Sequence, residues 1–176
     1  RRLPEGRMLD QLVAKHQVTR HDMKRLANEL IPFFKKAARG RAIDRFGTPQ
    51  AVRELVLGNV SECQLFVGKL FSEADKRFIE AAYRQYLTLN EPLLAQRVRE
   101  RRIIDGHGDL RCENICMSKP MAIFDCVEFQ PAFRCGDSAN DLAFILMDLE
   151  LRGRFDLAEV LAQEYRRRTH DAACDR

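Results

Sequence analysis

Three short apolar runs after Arg101 constrain the fold of this chain more than any other feature. They are RII (102–104), NICM (114–117) and MAIFD (121–125), and loop-forming residues surround them. The SKP turn between the last two runs predicts a β-hairpin. Elsewhere, apolar residues recur at helical spacing. The sequence therefore predicts an α+β fold that is mainly α, with a small β-hairpin platform set among helices.

Amphipathic helices are predicted from apolar stripes and from the residues that cap them. The predicted N-terminal caps are Thr19, Thr48, Ser72, Asn90 and Asp137. Each stripe, including the one formed by Phe78, Ile79, Ala82, Tyr83 and Tyr86, is interpreted as core rather than as a cofactor-binding surface.

One proline is predicted to distort a helix, and two segments are predicted to be loops between helices. Pro32 is expected to kink or shift the second helix, because proline removes a backbone donor. Residues 40–47 and the EFQPAFRCG segment (128–136) are predicted to be loops.

Length and charge limit the possible classes of protein. The 176 residues suit one domain, divided into a helical subdomain (1–102), a catalytic loop and hairpin platform (103–136) and C-terminal helices (137–176). A net charge of +4, with both signs interspersed, does not favour a nucleic-acid partner. We expect no membrane partner and a cytoplasmic location, since no signal peptide and no apolar run of about 18 residues is present.

The six cysteines are expected to be reduced thiols that pack as small apolar residues. The alternative is a structural zinc ion bound by four of them, although no pair has the CxxC spacing. The cysteines are Cys63, Cys112, Cys116, Cys126, Cys135 and Cys174, and the zinc interpretation uses the middle four.

The stretch HGDLRCEN (107–114) carries the chemistry. Asp109 precedes the first strand of the hairpin, Asn114 ends the stretch, and Asp125 ends the second strand. If the strands pair, one amide and two carboxylates come close together. Oxygen ligands of this kind suit Mg²⁺, and a remaining carboxylate can accept a proton from an alcohol. These are the groups that phosphoryl transfer requires.

HGDLRCEN, followed by IFD (123–125) and GDSANDLA (136–143), resembles the catalytic core of the aminoglycoside phosphotransferase family, whose fold is protein-kinase-like. The phrases FGTPQAVRELVLGN and DCVEFQPAFRCGDSANDLAFILMDLE are similar to a branch of that family often joined to a P-loop ATPase-like domain. The resemblance covers essentially the whole chain and implies the helical C-terminal lobe of a kinase-like fold.

This resemblance implies a role for each matching position. Asp109 would be the catalytic base, and Asn114 and Asp125 would bind the Mg²⁺ of Mg-ATP. His107 would tie the loop to the strand that carries Asp125. Asp137 would cap its helix and bind the backbone of the catalytic loop.

Three further side chains near this motif have open roles. Arg111 would lie near the transferred phosphate or, alternatively, be a surface or salt-bridging arginine. Glu128 is considered as a further metal ligand. Asp141 is interpreted as a helix N-terminal residue rather than a ligand.

The expected activity is ATP- and Mg²⁺-dependent transfer of the γ-phosphate to a hydroxyl of a small molecule. The acceptor pocket is expected between residues 48 and 102, where no acidic cluster suited to a polycationic drug occurs.

The sequence departs from the family in one respect. The glycine-rich hairpin and strand lysine of a nucleotide-binding lobe do not precede the motif, so the N-terminal lobe is expected to be missing from this chain. A non-catalytic, pseudokinase-like interaction module is therefore an alternative. A hydrolase or metal-binding helical domain is another, but neither a G-x-S-x-G elbow nor a P-loop is present.

Overall fold

The computed structural model of the chain describes residues 3–4 and 6–171. Within these residues the protein is mainly helical, and its strands are two or three residues long. The predicted α+β, mainly α class is confirmed at this level. The helices are α1 (Leu9–Ala14), α2 (Arg20–Lys36), α3 (Arg41–Asp44), α4 (Pro49–Glu62), α5 (Glu73–Leu89), α6 (Glu91–Arg99), α7 (Pro131–Arg134), α8 (Ser138–Leu151) and α9 (Phe155–Thr169). The strands are β1 (Ile103–Asp105), β2 (Ile115–Cys116), β3 (Ala122–Ile123) and β4 (Cys135–Asp137).

The chain divides into two compact units. Among the described residues, unit 1 comprises 3–4, 6–38 and 104–171, and unit 2 comprises 39–103. The helices α1 and α2 thus belong to the same unit as the HGDLRCEN stretch, although more than 60 residues separate them along the chain.

Unit 1 is built on a continuous apolar core. In this core α9 packs against both α2 and α8, and the rings of Phe34 and Tyr165 meet edge to face with centroids 6.2 Å apart. Leu110 and Ile115 from the HGDLRCEN region are fully buried in the same core. The candidate loop therefore rests on the apolar core of unit 1.

Two small sheets form the predicted platform. Strands β2 and β3 pair antiparallel, with Ile115 opposite Ile123 and Cys116 opposite Ala122, so the predicted hairpin is confirmed. The second sheet pairs β1 with β4. The prediction that residues 128–136 form only a loop was wrong, because they contain α7 and the start of β4. Proline at the first position of α7 has the backbone angle that a helix start requires.

Most of the predicted caps are present. Thr19 and Ser72 form reciprocal capping boxes with Asp22 and Asp75, and the Thr48 hydroxyl accepts from the N–H of Ala51. These motifs are local, since donor and acceptor lie three residues apart.

Asn90 departs from this pattern. It occupies the N-cap position of α6, but its side-chain amide donates to the carbonyl of Tyr86 at 2.9 Å, so it caps the end of α5 instead.

Pro32 lies inside a continuous helix, and one predicted loop is absent. The helix α2 continues through Pro32 to Lys36. Residues 40–47 are not a loop, because all but Gly40 lie in α3 or in a 3₁₀ turn at Arg45–Gly47.

The apolar stripe of α5 in unit 2 was predicted to be core, and this was wrong. Phe78 is 76% exposed and Tyr86 is 59% exposed, whereas Leu87 of the same helix is buried. Apolar spacing identifies one face of a helix, but it does not establish that another element covers that face.

The cysteines largely follow the prediction. Cys112, Cys116 and Cys135 are buried, Cys63 and Cys126 are half-buried, and all five are reduced. Cys174 lies outside the described residues. Among residues 3–4 and 6–171, no helix combines the length and the apolar character needed to cross a bilayer.

Candidate active site

The backbone of residues 106–114, which we call the site loop, is held at its start by one carboxylate of α8. Asp141 accepts hydrogen bonds from the N–H of His107 at 2.7 Å and from the N–H of Gly108 at 2.8 Å. Asp141 itself is almost fully buried. Both of its oxygens are therefore used to fix the two residues that directly precede Asp109.

A second carboxylate of α8 holds the far end of the site loop. Asp148 accepts from the N–H of Cys112 at 2.8 Å and forms an ion pair with Arg152 at 3.1 Å. Because Asp141 and Asp148 are seven residues apart, they lie on the same face of the helix. One helix face thus fixes both ends of the segment His107–Cys112.

The pKa values of the two aspartates are shifted in opposite directions. Burial raises the pKa of Asp141, and the two backbone N–H groups only partly oppose this rise. Burial also acts to raise the pKa of Asp148, but the hydrogen bonds from Cys112 and the Arg152 guanidinium together outweigh it and hold the pKa below its ordinary value.

The two glycines of the loop are required by close packing. A Cβ on Gly106 would lie 2.5 Å from Oδ2 of Asp141. Gly108 has a φ of +80°, and a Cβ there would lie 2.6 Å from the carbonyl oxygen of Phe133. Only glycine gives the loop this close approach to its supports.

His107 connects the site loop to the segment that carries Asp125. Its Nε2 lies 2.9 Å from the carbonyl oxygen of Phe124, which can only accept, so Nε2 carries the proton. Its Nδ1 accepts from the N–H of Asp109 at 3.3 Å. The carbonyl of His107 accepts from the N–H of Val127 at 3.0 Å. The predicted structural contact of this histidine is present.

Asp109 presents a carboxylate at the surface of this fixed loop. Its side chain is 31% exposed, and Arg111 binds both oxygens, with Nε at 2.8 Å from Oδ1 and a terminal nitrogen at 3.1 Å from Oδ2. Arg111 also contacts Glu113 at 2.7 Å. The arginine is thus a salt-bridging residue that lies directly at the predicted base.

Asn114 is buried behind Asp109. Its amide nitrogen donates to the backbone carbonyl of Asp109 at 2.8 Å and lies 3.4 Å from Oδ2 of the same residue. These bonds orient the amide nitrogen towards Asp109, so the amide oxygen is the atom that can coordinate a cation.

Asp125 is exposed and has a φ of 63°. A non-glycine residue in this left-handed region costs free energy, and such residues are concentrated at functional sites. Glu128, the other candidate ligand, is also exposed. Across the described part of the chain, no cluster of three or more His, Cys, Asp or Glu side chains is arranged to hold a metal.

The role predicted for Asp137 is divided between two residues. Asp137 caps α8 as expected, accepting from the N–H of Ala139 at 2.9 Å. Asp141 accepts from the site-loop N–H groups of His107 and Gly108, so it makes backbone contacts of the kind predicted for Asp137. Asp141 does lie in the first turn of α8, but it is a buried acceptor rather than a simple helix-terminal charge.

Sequence reasoning also missed Asp148, Asp105 and Arg134. Arg134 forms an ion pair with Asp105 at the end of β1 and donates to the carbonyl of Val127 at 2.9 Å. The spacing of Asp141 and Asp148 on one helix face was the available indication for the first of these residues. Nothing in the sequence links Asp105 to Arg134, because they are 29 residues apart.

Among curated proteins, the chain is similar to uncharacterized proteins of Mycobacterium bovis and of two strains of Mycobacterium tuberculosis. Each is 35% identical over 150 residues, which are 84% of this chain and 30% of the relative. The chain therefore spans about a third of the length of the curated relatives it matches. No protein-family model matches the sequence. No solved structure matches it either.

Proposed function

We propose that the chain carries the catalytic centre of an ATP- and Mg²⁺-dependent phosphotransferase with a kinase-like C-terminal lobe, acting on a hydroxyl of a small molecule. One observation carries the proposal. The site loop is fixed at both ends by buried or partly buried carboxylates, yet it presents Asp109 partly exposed beside Arg111 and Asn114. A loop with only a structural role has no need to hold an ionisable side chain at such a fixed, accessible position.

Each residue has a task in the proposed reaction. Asp109 accepts the proton of the acceptor hydroxyl. The hydroxyl oxygen forms a bond to the γ-phosphorus of ATP as the bond between that phosphorus and the β–γ bridging oxygen breaks, and ADP is released. Arg111 leaves Asp109 for the transferred phosphate, and Glu113 gives its guanidinium a second partner close by. This exchange frees the carboxylate when substrate binds.

The oxygen donors present fit a magnesium ion. The Asn114 amide and the Asp125 carboxylate would supply two oxygens, and Mg²⁺ in such sites takes its other ligands from phosphates and water. Bound there, the ion would neutralise charge on the phosphates. The chain's own contribution is to hold Asn114 buried and oriented while Asp125 remains exposed.

Transfer of radioactive γ-phosphate to a library of hydroxyl compounds tests the proposal in the longest native protein that contains this chain. We expect Asp109→Asn to reduce transfer about 10²- to 10⁴-fold, the usual contribution of a general base. Glu150→Gln, which changes an exposed carboxylate on α8, is the control and should retain wild-type transfer.

Equal transfer by the wild type and Asp109→Asn would contradict the assignment of the base. If the wild type neither binds Mg-ATP nor transfers phosphate, the pseudokinase-like interaction module becomes the better account of the fixed loop.

A further inference from the structure

Arg134 links the start of the site loop to the segment that carries Asp125. Its guanidinium forms a forked ion pair with Asp105, the residue that ends β1 just before the site loop. A terminal nitrogen of the same guanidinium donates to the carbonyl of Val127 at 2.9 Å. Val127 follows Asp125 by two residues, so one side chain reaches both the loop and the segment that carries the predicted metal ligand.

The backbone around Arg134 supports the same loop. Its carbonyl accepts from the N–H of Gly106 at 3.2 Å. The absent Cβ of Gly108 would lie only 2.9 Å from the Cα of Arg134. Arg134 is therefore packed against the start of the site loop as well as bonded to it.

Asp125 lies between Phe124 and Val127, and each of these two residues has both its backbone N–H and its carbonyl in a hydrogen bond. The N–H of Phe124 donates to the carbonyl of Asn114 at 3.1 Å, and its carbonyl receives Nε2 of His107. The N–H of Val127 donates to the carbonyl of His107, and its carbonyl receives Arg134. These four bonds hold the chain on either side of the left-handed Asp125. Arg134 supplies the only one of the four that comes from outside the site loop.

We propose that Arg134 is a positioning residue, which sets segment 124–128 against the site loop so that Asn114 and Asp125 can bind one divalent cation with its phosphate ligand. This proposal rests on the proposed function for the identity of the ligand. The coupling of the two segments is a property of the unliganded protein and can be measured without any ligand.

The geometry requires arginine rather than positive charge alone. A guanidinium presents several N–H donors in a fixed plane, so it can form a fork with a carboxylate and still donate to a carbonyl. A lysine retains the charge but cannot reproduce that combination of directions. Arg134→Lys therefore removes the link to Val127 or the fork to Asp105 without leaving Asp105 beside a neutral group.

Arg154 offers a matched control. It also forms a fork with a carboxylate, Asp156, at 2.9 Å for both bonds, and it also donates to a distant carbonyl, that of Val18, at 3.4 Å. Arg154→Lys thus removes the same kind of interaction at a position that the site does not use.

The first experiment is amide hydrogen exchange, read by mass spectrometry, on the longest native protein that contains this chain. In Arg134→Lys, peptides covering 105–109 and 124–129 should exchange faster than in the wild type, while peptides from α8 and α9 should not change. Arg154→Lys should leave both site peptides unchanged. The proposal is overturned if the site peptides of Arg134→Lys match the wild type, or if exchange rises equally in every peptide.

The second experiment titrates Mg²⁺ against ATP binding by calorimetry. For Arg134→Lys we expect the half-saturating Mg²⁺ concentration to rise about tenfold or more, the usual effect of losing a supporting contact around metal ligands, while metal-free ATP binding stays unchanged. An unchanged Mg²⁺ dependence in a protein that binds Mg-ATP would contradict the positioning role. If the wild type does not bind Mg-ATP, the proposed function fails, and the exchange experiment alone decides whether Arg134 couples the two segments.

Discussion

The two units of the protein differ in how their apolar residues are used. Unit 1 buries long runs of apolar side chains from α2, α8 and α9, including Leu26, Ile145 and Leu157. Among the described residues of unit 2, the buried apolar side chains are Val60, Leu87 and Ile103. In unit 2 the exposed large apolar residues outnumber these three buried ones. They are Leu55, Leu65, Phe66, Leu70, Phe78, Ile79, Tyr83, Tyr86 and Leu89.

This difference shows which part of the molecule can hold a precise site. Burial of apolar area is the main favourable term in folding, so the continuous core of unit 1 gives a rigid support. The site loop adds Leu110 and Cys112 to that core and is bonded to α8 by Asp141 and Asp148. Unit 2 has little burial of its own, and its helices are expected to be the more easily opened part.

The largest expected effect comes from truncating the core of unit 1. Ile145 is fully buried, so Ile145→Ala should lower the free energy of unfolding by about 2–5 kcal/mol. Phe78→Ala in unit 2 should change it by less than about 0.5 kcal/mol, because this larger side chain is mostly exposed. Urea unfolding measures both variants, and a larger loss for Phe78→Ala would reverse the comparison.

Hydrogen exchange should show the same difference in the wild-type protein. We expect amides in the middle of α5 to exchange on the order of a hundredfold faster than those in the middle of α8, which corresponds to about 3 kcal/mol of opening free energy. Exchange followed by mass spectrometry under native conditions measures this ratio. Equal protection would show that unit 2 is as stable as unit 1 despite its exposed apolar residues.

A glycine-to-alanine pair compares the units at the level of the backbone. Gly108→Ala should destabilise the protein by about 1–3 kcal/mol, because the residue has a positive φ and no room for a Cβ. Gly58→Ala lies within α4, where a Cβ meets nothing within 4 Å, and should stabilise by about 0.5–1 kcal/mol. Thermal unfolding with a van't Hoff analysis gives both values, and two changes of the same sign would contradict the account.

The smallest expected effect is a difference in pH dependence between the two aspartates of α8. The raised pKa of Asp141 means that its contribution to stability is fully present below its unfolded pKa, near 4, and is lost as the pH rises through its folded value. The lowered pKa of Asp148 has the opposite consequence. Its contribution is present above pH 4 and is lost as the pH falls through its folded value.

Unfolding of the wild type, Asp141→Asn and Asp148→Asn in urea between pH 3 and pH 7 measures this difference. The stability difference between the wild type and Asp141→Asn should shift in favour of the wild type as the pH falls. The corresponding difference for Asp148→Asn should shift in favour of the wild type as the pH rises. Parallel profiles for the two variants would contradict the assigned environments.

The parts of the fold that sequence could predict are those set by neighbouring residues. The capping boxes at Thr19 and Ser72 and the β2–β3 hairpin depend on residues a few positions apart. Helix α7 was missed because it is a single turn, and Pro131 is its only start signal in the sequence. The exposed stripe on α5 was misread because its pattern is that of a core helix.

The candidate site was predictable in its exposed residues and not in its supports. Asp109, Asn114 and Asp125 stand in a recognisable order along the chain, so they could be selected from the sequence. Asp148 and Arg134 act across 36 and 29 residues, respectively, and such contacts exist only once the chain is folded. An aspartate on an apolar helix gives no sign of the N–H group that it will bind.

Calorimetric titration of Mg-ATP tests most directly whether the site loop and Asp125 form a metal–nucleotide site. The titration compares the longest native protein that contains this chain with its Asp125→Asn and Glu150→Gln variants, each with Mg²⁺ and with EDTA. The account predicts Mg²⁺-dependent binding that Asp125→Asn abolishes and Glu150→Gln preserves. Binding that is equal in all three proteins, or absent from the wild type, would contradict it.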